Sequence, residues 1–265
     1  MPELTIHSKL DLNYTDDGPA DSAHVLLLFN GSTLPLGFWN PLVETLGTDH
    51  RIVRFDQRNA GLTHYQGSFS LNDVAADAAT LLAHLDIDTA VVVGHAWGGR
   101  VAQVFARDYP HLTRGLIICG TGGQLPARVP GETLKGMREN SNSGDRINWE
   151  KHLEDAFCSE GFSQRDPDAF KDIADLLWAS KPHREARWDP QISPSDSYWG
   201  RSAHPGLLIY GTEDKNGTPE NARHLHDRLT GSRLEFIERA GHFVICEAPV
   251  KVDQLIRGFT RELTP

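Results

Sequence analysis

Cysteine is scarce in this chain: only Cys119, Cys158 and Cys246 occur in 265 residues. An odd and scattered set excludes a disulfide framework or a paired-cysteine metal site, so their expected role is packing. Positive charge is also short, with 26 Lys and Arg against 36 Asp and Glu and a formal charge of −10. Nucleic acid and anionic membranes are gripped through basic surface, so neither is expected as a partner. No run approaches the ~18 apolar residues of a membrane span. The start, Met1-Pro2-Glu3-Leu4-Thr5-Ile6, lacks the basic-then-apolar order of a secretory leader, so a cytoplasmic location is expected. There is no His-Glu-x-x-His spacing, no phosphate loop and no dinucleotide fingerprint in register, so no metal and no cofactor is expected. What remains as a partner is a small molecule; a homodimer stays open.

What the chain does have is a strand and helix alternation without internal repeats. Its length suits one large α/β unit with a substantial core. Leu4 to Tyr14 reads as an edge hairpin broken near Asp16-Asp17-Gly18, and His24 to Phe29 as the first fully apolar strand. Phe38 to Leu46 is a short helix, Arg51 to Asp56 a strand, and Ser70 to Leu85 a helix that Ser70 can cap. Gly115 to Cys119, Gly206 to Tyr210 and Arg233 to Ile237 are further strands, and Val250 to Leu263 is a closing helix. Such alternation argues a doubly wound, mostly parallel sheet with helices on both faces. Between Gly120 and about Ala203 the strand rhythm stops. That stretch is too long for an ordinary connection and is expected to be an inserted helical cap, so the core comprises 1–120 and 204–265 and the cap 121–203.

One absence lies inside a motif. Thr89 to Val93 is a β-branched run suited to a strand buried on both faces, and Gly94-His95-Ala96-Trp97-Gly98 follows it directly. Val101, Val104, Phe105 and Ala106 then recur at helical spacing. This is the strand–turn–helix order of a G-x-S-x-G nucleophile elbow, with alanine where the nucleophile would stand. Alanine has no lone pair to attack a carbonyl, so no covalent acyl route runs through position 96 as written. His95 is expected to brace the turn from behind.

With the elbow in place, the acid and the histidine are expected later in the chain, in that order. Leu207 to Tyr210 ends in Gly211-Thr212-Glu213-Asp214, and Gly241-His242 falls in the loop after the last strand. His242 would be the base, oriented by Asp214, with Glu213 the nearest rival for the acid.

On these pieces the chain resembles the α/β-hydrolase fold proteins across nearly its whole length. Leu26-Leu27-Leu28-Phe29-Asn30-Gly31-Ser32 matches the family's oxyanion loop, with Asn30 where His is usual. Phe55-Asp56-Gln57-Arg58-Asn59-Ala60-Gly61 matches its Asp-x-Arg-x-x-Gly turn, and Glu247-Ala248-Pro249 follows the histidine as is common there. The resemblance implies an oxyanion hole from the N–H groups of Ser32 and Trp97. It also implies a serine-type triad for esters or lactones, in which Ala96 replaces a serine and the chain is an inactivated variant. An aspartate elbow of the dehalogenase kind fits less well, because Ser32 stands where those enzymes place an asparagine. Two alternatives remain open: an enzyme natively without the serine, using His242 and Asp214 as a general base in the manner of the cofactor-independent dioxygenases and lyases of this fold, or a non-catalytic small-ligand binder.

The insertion is rich in aromatics: Trp149, Phe157, Phe162, Phe170, Trp178, Trp188, Tyr198 and Trp199. Most of these are expected to form its own core. Phe38 and Trp39, with Trp178 and Trp188, are the expected substrate-binding residues, and they imply an apolar substrate.

Overall fold

The computed structural model describes residues 2–7, 10–58, 60–180, 186–189 and 194–263, with 186–188 described by backbone alone. Two antiparallel strands, β1 (Glu3–His7) and β2 (Leu10–Asp17), lead into β3 (Val25–Phe29), α1 (Asn40–Leu46), β4 (Arg51–Phe55) and the short β5 (Gly67–Phe69). Then come α2 (Leu71–His84), β6 (Ala90–His95), α3 (Trp97–Asp108) and β7 (Thr113–Cys119). The helices α4 (Gly131–Ser143), α5 (Arg146–Phe157), α6 (Phe162–Arg165) and α7 (Pro167–Ala179) and the short β8 (Ala186–Trp188) separate β7 from β9 (Gly206–Gly211). The chain closes with α8 (Pro219–Arg228), β10 (Arg233–Ile237), α9 (Val244–Glu247) and α10 (Pro249–Glu262).

Eight strands form one sheet in the order β1-β2-β4-β3-β6-β7-β9-β10. From β4 to β10 every pairing is parallel; β1 and β2 are the antiparallel edge. The doubly wound α/β architecture expected from the alternation is therefore present. Its strands are buried on both faces: β6 and β9 have no exposed residue, as their uninterrupted apolar runs require. One core lies under α2, α3 and α8, the other under α1, α9, α10 and the α5–α7 group. Tyr198 and Trp199 pack in the first of these, away from the helices between β7 and β9.

The edge differs from expectation. Asp16 and Asp17 do not break β2; they pair across to Val53 and Ile52 of β4. Their carboxylates meet Arg51 and Arg54 at 2.9 and 3.0 Å, so two acids that read as a turn are neutralised within the ladder.

The winding also sets the position of a site. From β3 the chain first builds outward to β4, then crosses back to place β6 on the other side of β3. At such a reversal the loops leaving the two central strands diverge and open a crevice at their carboxyl ends. Asn30-Gly31-Ser32 leaves β3 there, and Ala96-Trp97 leaves β6.

Candidate active site

Ala96 occupies the turn between β6 and α3 with φ 51° and ψ −115°. A side chain in this region costs about 1–3 kcal/mol, which surrounding structure must over-determine. It does so here: Ala96 N–H donates to the Cys119 carbonyl at 2.9 Å, and its own carbonyl accepts from Thr121 Oγ1 at 2.9 Å and Gly99 N at 3.1 Å. Gly98 permits the turn, because a Cβ there would overlap the carbonyls of Phe29 and Asn30. Among the described residues, three of the four non-glycine residues with positive φ, Thr33, Ala96 and Arg239, lie in the three loops that meet at this site.

His242 is buried in the loop after β10. Its Nδ1 donates to Asp214, 2.9 Å from Oδ2 and 3.0 Å from Oδ1. The Asp214 side chain is fully buried, and Oδ1 also accepts the backbone N–H groups of Asn216 (2.7 Å) and Gly217 (2.8 Å). Those donors hold the carboxylate, the carboxylate holds the imidazole tautomer, and Nε2 is left with its lone pair for a reacting proton. Glu213, the rival acid, turns away and accepts the Glu160 N–H at 2.8 Å.

Further contacts hold the histidine loop. His242 N–H donates to the Phe157 carbonyl at 2.7 Å, and its carbonyl accepts from His95 Nε2 at 2.9 Å. Because a carbonyl only accepts, His95 carries its proton on Nε2; burial, with the neighbouring His242, pushes its pKa well below the usual imidazole value and keeps it neutral. His95 thus braces the loop that carries the base, and it also lines the cavity above. Glu247 joins the loop to the end of α5: Oε1 accepts Gly241 N–H at 3.0 Å, and Oε2 accepts the N–H of Ser159 at 2.9 Å and its hydroxyl. Arg165 completes the joint, reaching Ser159 Oγ at 2.6 Å and the Arg239 carbonyl at 3.1 Å.

A cavity of about 500 Å³ opens over these groups. Its floor is Gly31, Ser32, Ala96, Trp97 and His242, and its apolar walls include Leu134, Met137, Trp149, Leu153, Phe157 and Leu177. Ser32, on the β3 loop, and Trp97, first residue of α3, therefore border the same space. A helix N-terminus supplies unpaired N–H groups and a positive dipole end to an anion there. A larger crevice of about 830 Å³ lies behind Asp214, but it is lined by Arg128, Glu154, Glu160 and Lys215 and does not reach Ala96, Trp97 or His242.

The expected aromatic wall is corrected. Phe38 lies one layer behind it, its ring 4.6 Å from His95 and 5.6 Å from Phe243. Trp39 is fully buried, and its Nε1 donates to Asn30 Oδ1 at 2.7 Å. Asn30 in turn donates to the Leu34 and Phe55 carbonyls at 3.1 and 3.0 Å, so it braces the oxyanion loop where the resemblance would place a histidine. Trp178 packs its ring 5.1 Å from Trp149 and supports the wall from outside. The Trp188 side chain lies outside the described residues. Phe157, Trp149, Met137 and Leu177 line the cavity where Phe38, Trp39 and Trp178 were expected. All three cysteines are buried thiols, and burial pushes Cys119 up to about 12, so they pack rather than react. Among the described residues no three His, Cys, Asp or Glu side chains group so as to hold a metal ion, and no helix is long and apolar enough to cross a membrane.

A parallel α/β sheet carrying an elbow at its switch point, opposite a histidine held by a buried acid, defines a class of protein. The family model described as the alpha/beta hydrolase fold matches residues 24–249, and the chain belongs to that family. Among its curated relatives is a poly(3-hydroxyalkanoate) depolymerase of Ectopseudomonas oleovorans, 32% identical over 241 residues that cover 89% of this chain and 84% of the relative. Two solved structures share the fold. An esterase from Thermogutta terrifontis superposes with a TM-score of 0.78 over the whole of both chains at 22% identity. The enol-lactonase of Burkholderia xenovorans LB400 gives 0.76 over 97% of this chain and all of its own, at 20% identity.

Proposed function

We propose that this protein is a hydrolase scaffold for a small apolar ester or lactone, with Ala96 standing where a serine nucleophile belongs. The observation that carries this reading is the elbow itself. Ala96 is held at a costly backbone conformation that a methyl group has no use for, on the floor of a cavity bordered by an oriented base and by Ser32 and Trp97. In the family such a turn exists to present a nucleophile. Within the proposed cap, the helices α4, α5 and α7 cover the strand ends, and their apolar side chains receive the acyl or ring portion of the substrate.

With a serine at 96, His242 Nε2 would take the hydroxyl proton as the oxygen attacked the carbonyl. Asp214 would stabilise the imidazolium, and the Ser32 and Trp97 N–H groups would take the developing oxyanion. The proton would pass to the leaving alcohol, and water activated by the same histidine would release the acid.

The test is turnover of aryl esters and lactones by the chain and by Ala96→Ser, with His242→Ala in both backgrounds. Hydrolysis that appears only with serine and is lost without His242 is the expected result. Turnover that requires His242 but not serine would instead favour a non-covalent base reaction, which the intact His242–Asp214 pair permits. Binding without turnover in every variant would favour a ligand-binding protein.

A further inference from the structure

The charge on the cavity wall sets this space apart from the rest of the molecule. The chain carries ten more acids than Lys and Arg, yet among the described residues no Asp or Glu lines the 500 Å³ cavity over Ala96 and His242. One permanently charged side chain does, Arg138 of α4. Neighbouring cations of the same helices are engaged: Lys135 with Glu139 at 3.7 Å, Arg146 with Glu150 at 2.7 Å and with Asp175, and Lys171 with Asp175 at 2.7 Å. Among the described residues Arg138 has no such partner. In a protein with surplus carboxylates, an arginine without an acidic partner on a wall whose described residues include no acid offers its charge to whatever enters.

The face of α4 that borders the cavity is ordered by polarity. Leu134, Met137, Arg138, Ser141 and Asn142 recur at helical three- and four-residue spacing and all line the space. The first two are apolar; the last three are hydrogen-bonding groups one turn further along. A ligand lying along this face meets apolar surface and then donors, headed by a planar guanidinium that matches a carboxylate with two parallel hydrogen bonds.

We infer that the cavity takes an amphiphilic substrate, an apolar body whose far end carries a carboxylate paired with Arg138. This rests on the hydrolase reading for the reacting end only; the anionic end stands on the cavity wall alone. Arg138 is exposed, so its charge is screened and the gain is modest. An exposed ion pair of ideal geometry is worth about 1 kcal/mol, or roughly five- to tenfold in affinity.

The chain as it stands allows the question to be asked by binding, since Ala96 permits no acyl transfer. The probes are 4-phenylbutanoate and its neutral counterpart 4-phenylbutanamide, titrated against tryptophan fluorescence with calorimetry as a check. The carboxylate should bind about five- to tenfold more tightly at low salt, the preference should shrink as salt is raised, Arg138→Gln should level it, and Arg138→Lys should keep part of it. Equal affinities, a preference that survives Arg138→Gln, or no binding of either probe overturns the inference. The reaction is tested separately, by hydrolysis of a neutral aryl ester with Ala96→Ser alone. Hydrolysis there with no carboxylate preference would sink the anionic end and leave the proposed function standing. A carboxylate preference with no hydrolysis would do the reverse.

Discussion

The floor and the roof of the cavity are built on different terms. At the floor, Asp214, His242 and His95 are almost wholly removed from solvent; Asp214 is held by the amides of its own turn, His242 by the Phe157 carbonyl and His95 by the His242 carbonyl. In the roof, α4 runs 13 residues without one buried side chain, and Leu134 at the cavity edge is 39% exposed. The floor borrows its precision from the sheet, whose burial stabilises these loops whatever the ligand. The roof has little core of its own, so its residues can change the ligand without unfolding the protein. On the proposed function, chemistry and specificity therefore sit on separable parts of the fold.

The sharpest way to break that comparison is kinetic. In the Ala96→Ser background, Asp214→Asn should lower kcat by about 10⁴-fold, because the amide no longer selects the tautomer that leaves Nε2 free. The fold should survive, with an unchanged far-ultraviolet circular dichroism spectrum. A loss under tenfold would mean that the floor does not orient its base through this acid.

Next comes Glu247, which satisfies the N–H of Gly241 and both donors of Ser159. Removing it leaves those groups buried without an acceptor, at about 1–3 kcal/mol for each unmet group. Glu247→Ala should thus cost roughly 2–4 kcal/mol in urea unfolding, with Glu247→Gln between it and the parent. A cost near zero would show the histidine loop to be held without the α5 joint.

His95 sharpens the comparison through pH. Its folded pKa is depressed by burial, so above about 6.5 both states carry a neutral ring and pH has no effect through this group. Below that value the unfolded chain takes up a proton that the folded chain refuses, and stability falls with falling pH. His95→Gln should reduce this slope by up to about 1.4 kcal/mol per pH unit between roughly pH 6 and 5, measured as unfolding free energy. An unaltered slope would mean that His95 protonates without cost in its site.

These effects concentrate where the sequence is most legible. The elbow, the acid and the histidine are readable because each is a backbone demand written in residue type: glycines where a Cβ would collide, an acid just past a strand end, a histidine after the last strand. The sheet is readable for the same reason, from apolar runs that only a doubly covered strand tolerates. Asp16 and Asp17 mislead because their partners, Arg51 and Arg54, lie some 35 residues away and only strand pairing brings them close. Phe38 and Trp39 mislead because aromatic content does not tell a cavity wall from the layer behind it; the Trp39 N–H needs the Asn30 side chain, which draws it inward. The α4 helix leaves no apolar period to find, since none of its side chains is fully buried, and Met137 and Arg138 are illegible with it.

The smallest effect belongs to that helix. Leu134→Ala removes apolar surface that is already partly in water, so no cavity opens in a core and the stability change should stay within about 0.5 kcal/mol. Its consequence should appear in ligand affinity instead, as a severalfold weaker grip on an apolar probe, on the order of 1 kcal/mol for the apolar area that the ligand no longer covers. Thermal unfolding and a binding titration on the same sample separate the two. If Leu134→Ala destabilised the protein as much as a floor substitution, α4 would be part of the core in solution, and the division between a fixed floor and an adjustable roof would fail.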